Sequence, residues 1–242
     1  MRSAIIIPAL NEEAAIAGVV RSVVAQTDRV IVVDNGSTDR TAERAVQAGA
    51  EVIHVARPGY GRACLAGVAA AGDAELLIFM DGDGADDPSD LPSVVLPILE
   101  GHADFVLGTR LEGKTETGAL TLPQRFGNAL ATRLMRLFWG GVFTDLGPFR
   151  AIKRSAYRSL NMHAPTYGWT VEMQVRALKQ SLRCKEVPVT YRRRIGVSKI
   201  SGTVKGVVLA GWFILGTIFA EAILGRRTVE MRGKSFTPLR LD

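Results

Sequence analysis

The chain has 242 residues, of which 47% are hydrophobic and 22% charged, with 30 Lys+Arg against 24 Asp+Glu and a formal net charge of +6. That length supports one large α/β domain or two small ones with a real core, and no Pro/Gly/Ser linker, low-complexity tract or internal repeat divides it. Cys64 and Cys184 lack metal-type spacing and read as buried, reduced thiols, which excludes a disulfide-stapled scaffold and fits a cytoplasmic protein.

The first predicted element is a short β-branched strand over Ala4–Pro8, and no signal peptide is expected ahead of it. Asn11 is placed to cap a helix from about Glu12 to Ala25, with Glu12 and Glu13 as acids in its first turn. A second strand, Val30–Val33, runs into the turn-forming cluster Asp34-Asn35-Gly36-Ser37-Thr38-Asp39 and a helix near Thr41–Ala48. A third strand, Glu51–Val55, leads to Arg57-Pro58-Gly59-Tyr60-Gly61-Arg62 and an Ala-rich helix. The fourth, Leu76–Met80, is a continuous apolar run that delivers Asp81-Gly82-Asp83 into a loop. Asp86, Asp87 and Asp90 are read as caps for a helix beginning near Pro88-Ser89. Strand, polar turn and helix in repetition predict a mostly parallel sheet flanked by helices. Such sheets bind ligands at the carboxyl ends of their strands. Two hard oxygen ligands there, Asp81 and Asp83, suit Mg²⁺ or Mn²⁺, which substrate phosphates would also hold.

Further along, Trp169 to Gln180 is predicted helical and Cys184 lies in a strand-like context. Charge is uneven: residues 1–175 hold 16 Lys/Arg and 20 Asp/Glu (net −4), whereas residues 176–242 hold 14 and 4 (net +10). The basic segment implies an anionic partner, either a phosphate-bearing substrate or an anionic lipid surface. Nucleic acid is not expected, since no aromatic stacking platform or binding motif accompanies the basic residues. Residues 206–220 form the strongest apolar run, about 15 residues before Glu221 and shorter than the ~20 needed to cross a bilayer. The expectation is a helix in the membrane interface with Trp212 at headgroup depth. The alternative is a helix packed on the domain or on a second copy of the chain, as a homo-oligomer.

The ordered series IIIPALNEE, VVDNGSTDRT, GYGRACLAG and MDGDGADDP resembles the nucleotide-binding half of a family 2 glycosyltransferase with the GT-A fold. Gly108-Thr109-Arg110, Thr144 to Arg150, Trp169 to Met173 and Arg194 to Lys199 are similar to the polyprenyl-phosphate transferases of the dolichol-phosphate-mannose-synthase type. The resemblance spans residues 4–203. It implies a transferase domain over 1–203, with a nucleotide-sugar half (1–110) and an acceptor half (111–203), followed by an apolar, basic helix and tail (204–242). Many relatives carry Asp-Asp-Gly-Ser where this chain has Asp34-Asn35-Gly36-Ser37, which leaves the preference between UDP- and GDP-sugar open.

The same resemblance assigns Pro8, Leu10 and Glu12 to the nucleoside and ribose, Asp34 to the base imide, and Gly61, Arg62, Asp81 and Arg110 to the rest of the donor. Asp81 and Asp83 would hold the metal, with Asp83, Glu172, Asp145 and Arg150 at the reacting centre. A lipid-phosphate acceptor is already anionic and needs cations instead of a base. Arg125, Arg194, Ser198 and Lys199 are assigned to it, with Arg110 and Arg150 as further cations. A hydroxyl acceptor would need Glu172, or Asp145 as second choice, to take its proton. The expected activity is a single, inverting, metal-dependent hexosyl transfer to a polyprenyl phosphate, by a protein held peripherally at the cytoplasmic membrane face. A sugar nucleotidyltransferase and a non-catalytic membrane-binding module are the distant alternatives.

Overall fold

The computed structural model describes residues 1–141, 143–196, 209 and 211–223. Seven strands form one sheet: β1 (Ser3–Ala9), β2 (Arg29–Asp34), β3 (Glu51–His54), β4 (Leu76–Phe79), β5 (Phe105–Thr109), β6 (Arg150–Lys153) and β7 (Cys184–Pro188). Their spatial order is β3-β2-β1-β4-β6-β5-β7. Only β6 runs antiparallel, pairing Ile78 with Ala151 on one side and Val106 with Ala151 on the other. The sheet is therefore mostly parallel, as expected, with one reversed strand in its interior, between β4 and β5.

Helices α1 (Ile16–Val23), α2 (Thr41–Gln47), α3 (Tyr60–Ala70), α4 (Leu91–Leu99), α5 (Leu122–Trp139), α6 (Arg154–Leu160) and α7 (Trp169–Lys179) cover both faces. Successive side chains of a strand point to opposite faces. Ile5 and Ile7 accordingly join one buried cluster with α1, α2 and α4, and Ala4 and Ile6 join another with α3 and α5 to α7. On the second face Phe79 meets Trp169 edge-on, 4.8 Å between ring centres.

The first helix departs from expectation. It begins at Ile16, its cap position is Ala15, and no acid lies in its first turn. Asn11 adopts a left-handed backbone (φ +52°), which Asn tolerates better than most residues. Its Oδ1 accepts the Thr38 amide (2.8 Å), and the Glu12 amide donates to Thr41 Oγ1 (2.8 Å). Residues 10–15 thus form a loop tied to the β2–α2 turn instead of a helix start.

α5 is bounded by a Thr121–Gln124 capping box and by Gly140 at φ +67°. It leaves Leu122 82% and Phe126 72% exposed. A further helix covers residues 211–223. It packs inward through Ile218 and Glu221, whose carboxylate bonds Arg176 (2.8 Å) and Lys179 (2.6 Å) on α7. Phe219 meets Phe138 of α5 at 6.2 Å, while Trp212 is 75% exposed. No described helix is long and apolar enough to cross a membrane. The remainder of the apolar run, and of the 204–242 segment, lies outside the described residues.

Candidate active site

The strand ends gather what the sequence singled out. Pro8 and Ala9 pair with Val33 and Asp34 where β1 outlasts β4, the last β1–β4 pair being Ile6–Phe79. Asp34 and Asp81 therefore leave the sheet on one edge. Asp81, Asp83, Tyr60, Arg110, Tyr191 and Arg194 line a cavity of about 440 Å³ that continues between α5 and helix 211–223.

The two carboxylates are held differently. Asp83 is buried; one oxygen accepts the Ala85 amide (2.9 Å), and the other faces Arg194 Nη1 at 3.3 Å. Asp81 faces the cavity and accepts the Tyr60 hydroxyl at 3.1 Å. Burial, then the adjacent Asp83, pushes its carboxyl up to about 7. Among the described residues no third acid, His or Cys completes a metal cage. Mg²⁺ and Mn²⁺ are commonly held by one or two carboxylates plus substrate phosphates, so the pair fits such an ion. A guanidinium already drawn to Asp83 shows that this carboxylate attracts positive charge.

Of the neighbouring acids, Asp87 fills the predicted capping role, and the side chains of Asp86 and Asp90 make other bonds. Only Asp87 caps, accepting the Ser89 amide at 3.1 Å, and it also pairs with Arg192. Asp86 is buried and accepts the Asp81 amide at 3.2 Å; burial, then the Asp81 charge, pushes its carboxyl well up. Asp90 accepts the Thr190 amide, fastening the β7 exit to this loop.

On the nucleoside side, Asp34 accepts the Ser37 amide (3.1 Å) and pairs with His54 Nδ1 (2.9 Å). Asn35 Oδ1 accepts the Gly59 amide at 2.7 Å, so the departure from Asp-Asp anchors the next loop. Glu12 is buried and meets Arg194 Nη2 at 2.5 Å. Leu10 is half-buried in the same β1 loop, beyond the buried Pro8.

Other predicted residues sit elsewhere. Gly61 and Arg62 form no phosphate cradle at the cavity. A Cβ at Gly61 would lie 2.0 Å from the Ala164 carbonyl oxygen, and the Arg62 amide donates to Pro165 O at 3.1 Å. That glycine is required by close packing of α3 on the 164–165 backbone. The Glu172 carboxylate accepts the His163 (3.2 Å) and Ala164 (2.8 Å) amides and pairs with Arg176 (3.1 Å), staying outside the cavity lining. Asp145 is fully buried, gripping Arg110 Nε (2.8 Å) and Nη2 (2.7 Å) and accepting from Asn128. It positions Arg110, whose guanidinium lies 4.9 Å over the Tyr191 ring at the cavity wall.

Arg150 is also fully buried. It donates to Thr170 O (3.0 Å), Leu146 O and Gly147 O beside the rings of Phe105 and Trp169, and burial lowers it to about 10. It braces the 146–150 turn against α7 and does not line the cavity. Arg125 is exposed on α5. Ser198 and Lys199 lie outside the described residues.

Sequence reasoning missed Tyr60, Tyr191, His54, Asn128 and the apolar wall formed by Leu130, Leu146, Ile214 and Leu215. Tyr60 sits beside Gly61 in a stretch already singled out, and Tyr191 lies three residues before the Arg194–Lys199 stretch. Their pairing with Asp81 and Arg110 is a tertiary fact.

The Glycosyl transferase family 2 model matches residues 4–160. An uncharacterised glycosyltransferase of Mycobacterium tuberculosis is 35% identical over 209 residues, covering 85% of this chain and 93% of that protein. A dolichyl-phosphate hexose transferase of Haloferax volcanii is 32% identical over 212 residues, covering 85% and 90%. The fold is similar to glucosyl-3-phosphoglycerate synthase of Mycobacterium tuberculosis, crystallised with Mn²⁺, UDP-glucose and phosphoglyceric acid. That match has a TM-score of 0.74 and 25% identity, over 91% of this chain and 79% of the other.

Proposed function

We propose, from the premise that this chain belongs to glycosyl transferase family 2, that it moves a hexose from a UDP- or GDP-sugar to a polyprenyl phosphate at the cytoplasmic membrane face. The observation that carries this reading is the composition of the cavity. Its only acids among the described residues are Asp81 and Asp83, while its far wall, between α5 and helix 211–223, is apolar. Two lining acids that would hold a metal leave no carboxylate there to deprotonate an alcohol. An acceptor phosphate needs no such base, and its hydrocarbon chain would lie along Leu130, Leu146, Ile214 and Leu215. Family membership leaves no ground for the nucleotidyltransferase and non-catalytic readings. The dolichyl-phosphate acceptor in the name of the archaeal relative supports the same choice.

Asp81 and Asp83 would hold Mg²⁺ or Mn²⁺, which supplies Lewis-acid neutralisation of the diphosphate leaving group. Arg110, oriented by Asp145, brings positive charge to the reacting phosphates, and Arg194 is the described cation nearest the acid pair. Among the described residues no carboxylate besides the candidate metal pair lines the cavity, which supports a single displacement with inversion. Exposed Leu122, Phe126, Trp212 and Phe219, beside exposed Arg125 and Arg133, suit contact with an anionic lipid surface.

The test supplies radiolabelled UDP- and GDP-sugars with Mn²⁺ to polyprenyl phosphate in detergent and to soluble alcohols. Transfer to the lipid phosphate alone is expected. Transfer to alcohols with none to the lipid would overturn the proposal.

A further inference from the structure

The guanidinium of Arg194 bridges two carboxylates that belong to different jobs. Its Nη2 lies 2.5 Å from Glu12 Oε1, in the loop after β1, and its Nη1 lies 3.3 Å from Asp83 Oδ2, in the loop after β4. Glu12 is 182 residues away in sequence, so the chain returns from its far end to make this contact. The backbone fixes the approach: Arg192 N donates to Ala85 O (2.8 Å) and Ile195 N to Asp83 O (2.9 Å). The 192–195 segment is thereby laid along the acidic loop. Yet the Arg194 side chain is imperfectly satisfied, because its Nε–H is buried without an acceptor. A guanidinium that has spent two of its donor groups on carboxylates and buried a third unmade is held by charge more than by fit.

We infer that Arg194 is an internal stand-in for the donor's cation: it clasps Glu12 and Asp83 until the metal-bound nucleotide sugar displaces it. The displaced guanidinium then becomes available to the acceptor phosphate. One side chain thus enforces an order, donor before acceptor. The inference rests on the transferase reading above and on a phosphate acceptor. It explains why an arginine serves here, since only a planar fork reaches both carboxylates at once.

The test titrates Mn²⁺ alone, followed by electron paramagnetic resonance, into the full chain and its variants. Arg194→Gln removes the competing charge and should tighten Mn²⁺ binding about tenfold, the scale expected when a like charge leaves the side of a cation site. Arg194→Lys keeps the charge, and so preserves folding should the Gln variant fail, but cannot span both carboxylates; it should bind Mn²⁺ more tightly than wild type and less tightly than Arg194→Gln. Arg192→Gln makes the same change of net charge at a side chain paired with Asp87 instead, and should leave Mn²⁺ affinity within about twofold of wild type. Equal gains for Arg192→Gln and Arg194→Gln would reduce the effect to overall field and overturn the latch, as would unchanged or weaker binding in both Arg194 variants.

A second measurement separates this inference from the function it rests on. Binding of a short-chain prenyl phosphate to wild type should appear only after Mn²⁺ and UDP are present, whereas Arg194→Gln should bind it weakly under either condition. Tightened Mn²⁺ binding without any prenyl-phosphate binding would keep the latch and refute the acceptor. Prenyl-phosphate binding that is equally strong before and after Mn²⁺ and UDP would refute the ordering.

Discussion

Asp145→Asn separates a positioning carboxylate from a catalytic base. Asp145 has no exposed surface, and it receives two bonds from the Arg110 side chain (2.8 and 2.7 Å), one from the Arg110 amide (2.8 Å) and one from Leu146 N (2.7 Å). The Asn keeps the shape but turns one acceptor into a donor aimed at the guanidinium or at Asn128, leaving Arg110 with an uncompensated buried charge. Breaking such a pair from one side costs about 3–5 kcal/mol. For a chain of this size that corresponds to a fall in Tm of roughly 6–20 °C. The pH dependence has a definite sign. Burial pushes the Asp145 carboxyl up, but the charge and hydrogen bonds of Arg110 outweigh it and hold it below its ordinary value. A lowered folded pKa contributes stability that is complete above the unfolded value near 4 and lost as pH falls through the folded one. The deficit of Asp145→Asn should therefore be full at pH 7 and shrink toward pH 3. The assay is thermal melting from pH 3 to 8, with transfer kinetics at 25 °C where the variant is folded. A positioning role predicts reduced kcat/KM with an unshifted pH profile. A Tm within 2 °C of wild type, together with loss of the acidic limb of the profile, where a general base becomes protonated, would refute it.

Three further outcomes are expected. Gly61→Ala should destabilise the fold by about 1–3 kcal/mol, because its Cβ meets backbone oxygen at 2.0 Å and not a flexible side chain; a melt unchanged from wild type would refute the close packing of α3 on the 164–165 backbone. Glu172→Gln should lower Tm, since it leaves Arg176 and two loop amides with a poorer acceptor, while changing kcat less than tenfold in the folded fraction; a drop of the 10²–10⁴-fold size of a lost base, at unchanged Tm, would restore it as one. Trp212→Glu, at a side chain 75% exposed, should reduce cosedimentation with anionic vesicles and leave Mn²⁺ affinity alone; undiminished vesicle binding would remove helix 211–223 from the lipid surface.

The parts of this molecule legible in the sequence are those governed by local pattern. β1, β2 and β4 announce themselves because buried parallel strands are continuous β-branched runs, and their ends necessarily carry the polar residues that follow. Asp34, Asp81 and Asp83 were found that way, and the structure brings Asp81 and Asp83 to one cavity. β6 was not found: it is four residues long and carries Arg150, a fully buried cation that hides the strand from any hydrophobic count. Its reversed direction is what lets the 144–150 stretch turn beneath the cavity and hold Asp145 against Arg110.

Four of the expected site residues share one circumstance. Glu172, Asp145, Arg150 and Gly61 belong to residue types and motif positions that suit chemistry, yet their partners in the structure belong to the protein itself: backbone for Gly61 and Arg150, loop amides and Arg176 for Glu172, Arg110 and Asn128 for Asp145. Glu172 caps the amides of the 163–164 loop, Gly61 admits the carbonyl of that same loop, and Arg150 braces the turn that α7 packs against. A sequence motif records that a polar residue is needed, not whether substrate or scaffold needs it. Burial and partner identity decide, and both depend on contacts such as Gly61 to Ala164 that no local window contains. The same long reach makes Arg194 informative. Its neighbours in sequence are basic, yet its partners are acids in loops from the opposite end of the chain, which ties the acceptor half to the donor's own carboxylates.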